Sequence, residues 1–204
     1  CLVVKKQAEL IVDWMSVGFI HGVMNTDNVS IASETIDYGP CAFMESYDPK
    51  TKFSSIDHAG RYAYGNQPLI AKWNLARFAE TLIPLIDIDI NKAVEILEAE
   101  VNQCSEIYKK KSLEMMRKKL GIEGSIEEDN SLITKLLQWM HEKQADYTNT
   151  FKDLMNGTLS SSIYQDLNFQ HWNEQYQKRK PNVEIMKQHN PQVIPRNHKV
   201  EEAL

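Results

Sequence analysis

The chain has 204 residues, with 23 Lys and Arg against 28 Asp and Glu and a net charge of −5. That length supports one core, or a core with a helical annex, and the acidic balance excludes a nucleic-acid binder that works by bulk charge. No apolar run is long enough to span a membrane, so neither a nucleic acid nor a membrane is expected as a partner.

The opening CLVVKKQAEL lacks the order of a signal peptide and has no initiator methionine. It reads as the middle of a helix, which predicts a piece of a longer protein. Residues 2–17 form the first predicted helix. Val4, Ala8, Ile11 and Met15 share one face, Trp14 lies beside them, and Gly18 fits the stop. Phe19-Ile20 leads into a loop. Val29–Ile31 and Glu34–Asp37 read as the strands of a small β-hairpin turning near Ala32-Ser33. From Pro40 to Gln67 turn formers dominate: Asp48-Pro49, Gly60, Gly65 and Asn66. A loop of that length is functional or packed by its own side chains.

Pro68 suits the first turn of a helix running to about Leu82 and ended by Pro84, with Ile70, Trp73, Leu75 and Phe78 as its apolar surface. Asp89 caps a long helix from Ile90 to about Leu120. Its inner face holds Val94, Leu97, Val101 and Tyr108, and Gly121 stops it. After a polar loop, further helices are predicted over 131–146, 148–155 and 167–180. A short one precedes Asn190-Pro191, and the terminal segment Arg196–Leu204 is also helical. The predicted fold is mainly α with a small β-hairpin, dividing softly into residues 1–86 and 87–204.

Cys1, Cys41 and Cys104 are widely spaced without a CxxC pair, which fits a reduced cytoplasmic setting. Lys109–Lys111 with Arg117–Lys119 reads as a solvated helix face. Trp73, Trp139 and Trp172 read as core. No HExxH or GxSxG occurs, so zinc-protease and serine-hydrolase chemistry is not indicated.

The chemistry concentrates in His21–Gly39, HGVMNTDNVSIASETIDYG. In kinase-like sites a histidine opens the catalytic loop, an asparagine seven residues on binds metal, and the aspartate of a D-F-G binds it from the other side. His21, Asn28 and Asp37-Tyr38-Gly39 fit that spacing. The position of the usual base holds Val23, which cannot accept a proton. Asn28 and Asp37 are therefore the candidate metal ligands. Asp27 is either a general base beside the metal or a cap for its own loop. His21 is expected to tie the loop to the segment around Asp37.

HGVMNTDNVS, IDYGP, DHAGRYAYGNQPLIAKWNLARFAETL and the ending NPQVIPRNH resemble the selenoprotein O family, the YdiU-type proteins of bacteria, over essentially the whole chain. The resemblance implies a protein-kinase-like fold of the pseudokinase type. It implies transfer of AMP from ATP to Ser, Thr or Tyr hydroxyls of proteins, with magnesium as cofactor, in a bacterial-type cytoplasm. Asn28 and Asp37 match the metal ligands, Asp37 also the nucleotide site, and Asp27 the family's proposed base. Residues 1–86 would be the kinase-like C-lobe and 87–204 a helical extension. The glycine-rich region, nucleotide-binding lysine and paired glutamate should lie upstream of Cys1, so this piece alone should bind ATP poorly and transfer nothing. An exposed apolar face where the other lobe packs would favour a dimer. UMP transfer from UTP with manganese stays open, as does a non-catalytic pseudokinase acting as a binding scaffold.

Overall fold

Apolar residues recurring every third or fourth position make most of the chain helical. A computed structural model describes residues 1–203, and Leu204, the end of the predicted terminal helix, lies outside the described residues. The helices are α1 (Leu2–Val17), α2 (Gln67–Ile86), α3 (Ile90–Lys119), α4 (Glu128–Lys143), α5 (Tyr147–Asn156), α6 (Leu167–Gln177), α7 (Val183–His189) and α8 (Asn197–Ala203). Two short strands, β1 (Phe19–Ile20) and β2 (Ala42–Phe43), pair with each other.

The chain forms two compact units. The first holds Cys1–Met15, Phe19–Ala42 and Pro49–Lys111. Its core is a three-helix seam. Val4 and Ala8 of α1 meet Leu75 and Ala79 of α2 and Val101 and Cys104 of α3. Each large side chain buried there contributes roughly 1.5–3 kcal/mol. Asp89 caps α3 as predicted: its Oδ1 accepts from the backbone N–H of Asn91 at 2.9 Å.

Three expectations fail in this unit. The hairpin over 29–37 does not form, because side chains take its backbone groups. Gln7 donates to the Ser30 carbonyl, and His21 reaches the Ile36 carbonyl. The chain turns at Ser30–Ser33, with Ser33 at φ +63. Pro84 does not end α2, which runs on to Ile86. A proline near the last turn removes a single helical hydrogen bond, and the end comes at Asp87, whose backbone is extended. Trp73 is 41% exposed. The buried face of α2 passes through Ile70, Ala71, Asn74, Leu75 and Ala79, which turns Trp73 outward.

The second unit holds Ser16–Gly18, Phe43–Asp48 and the chain from Ser112 onward. Here aromatic rings dominate. Phe169 of α6 sits 4.6 Å from Trp139 of α4, and Trp172 stacks 5.0 Å from Tyr176. Trp139 and Trp172 are core as predicted, at 3% and 4% exposure. Asp129, wholly buried, receives Arg117 at 2.8 Å and Arg179 at 3.0 Å. The α3 terminus turns at Gly121, at φ +64, where a Cβ would stand 2.5 Å from the Asn182 carbonyl oxygen.

The solvated-face reading fails for Lys119. It is 1% exposed, with Nζ donating to Asn190 Oδ1 at 2.8 Å and lying 4.2 Å from the centre of the Phe151 ring. A cation over an aromatic face, with one amide oxygen, replaces water there.

Candidate functional site

After α1 the chain runs through Phe19, Ile20 and His21, all buried. One edge of β1 pairs with β2, and among the described residues its other edge faces no strand, so side chains must satisfy it. Two amides of α2 do so. Gln67, wholly buried, accepts from the His21 N–H and donates to the Phe19 carbonyl, each at 3.0 Å. Asn74, seven residues on and hence on the same face, donates to the Met24 carbonyl at 3.0 Å. Neither residue was among the predicted site residues. Their signal was two amides at helical spacing on the face that carries Ile70 and Leu75.

The His21 imidazole stacks on Trp14 at 5.3 Å, and its Nε2 lies 2.8 Å from the Ile36 carbonyl. A carbonyl can only accept, so Nε2 carries a proton. Trp14 Nε1 donates to Thr35 Oγ1 at 2.9 Å. The next residue, Gly22, sits at φ +87, where a Cβ would stand 2.9 Å from Pro40 Cγ and 3.0 Å from its carbonyl oxygen. The segment is thus fastened at Thr35, Ile36 and Pro40. Asp37, Tyr38 and Gly39 between them are exposed. Asp37 holds a left-handed backbone, φ +54, which few non-glycine residues adopt. Such conformations cluster at functional sites.

Thr26–Asn28 is a single turn of 3-10 helix. Asn28 Nδ2 donates to the Val23 carbonyl at 3.1 Å. That carbonyl needs a donor, so the amide has one orientation and Oδ1 faces away from Val23. Asp27 is exposed. Among the described residues, the Asp27 carboxylate makes no hydrogen bond, so nothing supports its role as a cap for the loop.

Asn28 and Asp37 therefore hang from one short segment. Asn28 is held through Val23, and Asp37 follows Ile36, which is held through His21. Asn28 offers a neutral oxygen and Asp37 an anionic one, a donor set that suits a hard divalent cation. Among the described residues no three His, Cys, Asp or Glu side chains gather as a metal-holding group. A cation here would complete its shell with water or substrate oxygens, as magnesium does at phosphate sites.

The family model described as protein adenylyltransferase SelO matches residues 2–204. A relative from Pelagibacter ubique, named protein nucleotidyltransferase YdiU, is 55% identical, over 100% of this chain and 44% of its own length. Relatives of the same name from Alcanivorax borkumensis and Clostridium botulinum are 53% and 54% identical, each over 99% of this chain. The chain spans less than half the length of these relatives, 44% and 43% for the last two.

Proposed function

The chain belongs to the SelO family of protein adenylyltransferases, and from that membership we propose that it carries the metal-binding and proton-accepting part of a nucleotidyl-transfer site in a kinase-like lobe. The hydroxyl oxygen of a Ser, Thr or Tyr on a protein substrate attacks the α-phosphorus of ATP. The bond to pyrophosphate breaks, AMP remains on the hydroxyl oxygen, and Asp27 accepts the hydroxyl proton. A bound magnesium would neutralise charge developing on the phosphate oxygens. Asn28 Oδ1 and Asp37 would hold it, and Asp37 would help position the nucleotide.

The observation that carries this reading is the Asn28–Val23 hydrogen bond. It turns the amide oxygen outward from the turn that also exposes Asp27. Support also comes from the fastening of Asp37 to the same segment through His21 and Gly22. The Asn28 amide and the backbone leading to Asp37 are held without a substrate, which favours positional catalysis at these residues.

The test uses the full-length protein with ATP labelled at the α- or the γ-phosphate, magnesium, and protein acceptors. Retention of α-label on protein supports the proposal. Retention of γ-label alone makes the protein a kinase and refutes it. The same assay with UTP and manganese decides which nucleotide is preferred.

A further inference from the structure

Beside the Thr26–Asn28 turn lies a cluster that the transfer step does not use. The guanidinium of Arg61 lies 4.6 Å over the Trp73 ring and 5.8 Å from the centre of the Tyr62 ring. The guanidinium of Arg77 lies 5.4 Å from the same indole. Both arginines are exposed. Arg77 pairs with Glu80 at 2.5 Å. Among the described residues no carboxylate pairs with the Arg61 guanidinium.

The placement of Arg61 is built. The buried Asp57 carboxylate accepts from the backbone N–H of Arg61 and of Tyr62, each at 2.8 Å. Lys52 Nζ donates to the carbonyls of Asp57 and His58. Tyr62 OH donates to Asn25 Oδ1 at 2.5 Å, and Asn25 precedes the turn that carries Asp27. A hollow of about 410 Å³ adjoins the turn. Thr26, Val29 and Ile31 line it together with Asn74, Arg77 and Phe78.

We propose that Arg61 and Arg77, held on Trp73, form a recognition subsite for carboxylate side chains that flank the acceptor hydroxyl of a protein substrate. A stacked guanidinium holds its N–H edges in one plane, the geometry that takes a carboxylate in two hydrogen bonds, and the Arg61 edge carries no carboxylate of this chain among the described residues. Glu80 already balances Arg77, so Arg61 is the guanidinium whose charge is left for a substrate carboxylate. One tyrosine and one asparagine side chain separate Arg61 from the turn, a span on the order of 10 Å, which an extended peptide covers in about three residues. The hollow that links Arg77 to the turn has apolar walls in Val29, Ile31 and Phe78. Such walls suit apolar side chains of a peptide, and Glu80, which also lines the hollow, disfavours a triphosphate there. Two cations in a chain of net charge −5 are also too few for a nucleic-acid backbone.

This inference rests on the protein-acceptor reading above, so its test has one arm that needs no transfer. In that arm, serine peptides with glutamate or with alanine three residues from the serine are titrated against the 204-residue chain, read by tryptophan fluorescence. Tighter binding of the glutamate peptide, weakened by salt and lost in Arg61→Ala, supports the subsite. Equal binding of the two peptides, or none of either, overturns it. In the other arm, full-length protein transfers nucleotide to the same peptides. Arg61→Ala should raise KM for the glutamate peptide about five- to tenfold, as for loss of a partly exposed charge pair. KM for the nucleotide should stay unchanged, and Arg61→Lys should restore only part of the loss. A rise in KM for the nucleotide, with the peptide preference intact, would assign Arg61 to phosphate binding and overturn the inference. If neither peptide accepts nucleotide, the transfer reading fails while the fluorescence arm still decides the subsite.

Discussion

His21 donates from Nε2 to the Ile36 carbonyl at 2.8 Å, and Gly22 beside it is in tight contact with Pro40. Two adjacent residues therefore fasten both flanks of Asp37-Tyr38-Gly39. The bond is part-buried, between the buried His21 ring and the exposed residue Ile36, and a bond of this kind is worth about 0.5–1.5 kcal/mol. His21→Ala should lower stability by roughly that amount, plus the loss of the stack on Trp14. Denaturant unfolding measures it, and proteolysis should cut first near residues 30–40. An unchanged cleavage pattern would mean that the segment has other sufficient anchors.

Gly22→Ala and Gly39→Ala form a matched pair. At Gly22 a methyl group meets Pro40 on a positive-φ backbone, whereas at Gly39 nothing lies within 4 Å. Gly22→Ala should cost about 1–3 kcal/mol, and Gly39→Ala should stay within about 0.5 kcal/mol. Equal effects in thermal unfolding would contradict the packing of Pro40 on Gly22.

The regular part of the fold was legible because periodicity alone specifies it. Val4, Ala8, Ile11 and Met15 are all buried as their spacing predicts, and Asp89 caps α3 in place. The irregular part was not. Whether residues 29–37 pair as strands depends on Gln7, Trp14 and His21, whose side chains take the segment's backbone and hydroxyl groups from elsewhere in the sequence. Gln67 and Asn74 carried no signal of their own, because most helical amides face solvent, and only the fold reveals a backbone beneath them that needs their side chains. At the site, the spacing His21-x6-Asn28 and the aspartate before Tyr38-Gly39 named the candidates. The orientation of the Asn28 amide needed the Val23 carbonyl to be in place.

Separate roles for the three candidate residues predict separable defects. Asn28→Ala and Asp37→Ala in the full-length protein should each weaken binding of magnesium-nucleotide, and transfer with it. Asp27→Asn should leave nucleotide binding intact and slow transfer by about 10²–10⁴-fold, the usual worth of a general base. Calorimetry and single-turnover assays distinguish the two classes. If neither Asn28→Ala nor Asp37→Ala affects metal-nucleotide binding, a non-catalytic scaffold becomes the better reading.

Lys119 gives a prediction independent of the reaction. Burial lowers its pKa from 10.5 to about 7. Between those values the unfolded chain binds a proton at Lys119 that the folded chain does not, so stability rises with pH through that window. Below about 7 both states are protonated, and the folded state bears the full cost of a buried charge that Asn190 and two aromatic faces offset in part. Above about 10 the trend reverses, because burial pushes Tyr164 and Tyr176 up, and the unfolded chain then releases phenolic protons that the folded chain keeps. Denaturant midpoints measured from about pH 6 to 10 should therefore climb above pH 7, by a few kcal/mol at most. Lys119→Met keeps the contact with Phe151, carries no charge, and should flatten the climb while gaining stability at pH 6. Met cannot satisfy Asn190 Oδ1, which offsets part of that gain by about 1 kcal/mol. A Lys119→Met curve with the wild-type slope would show that the folded protein keeps Lys119 charged through this range.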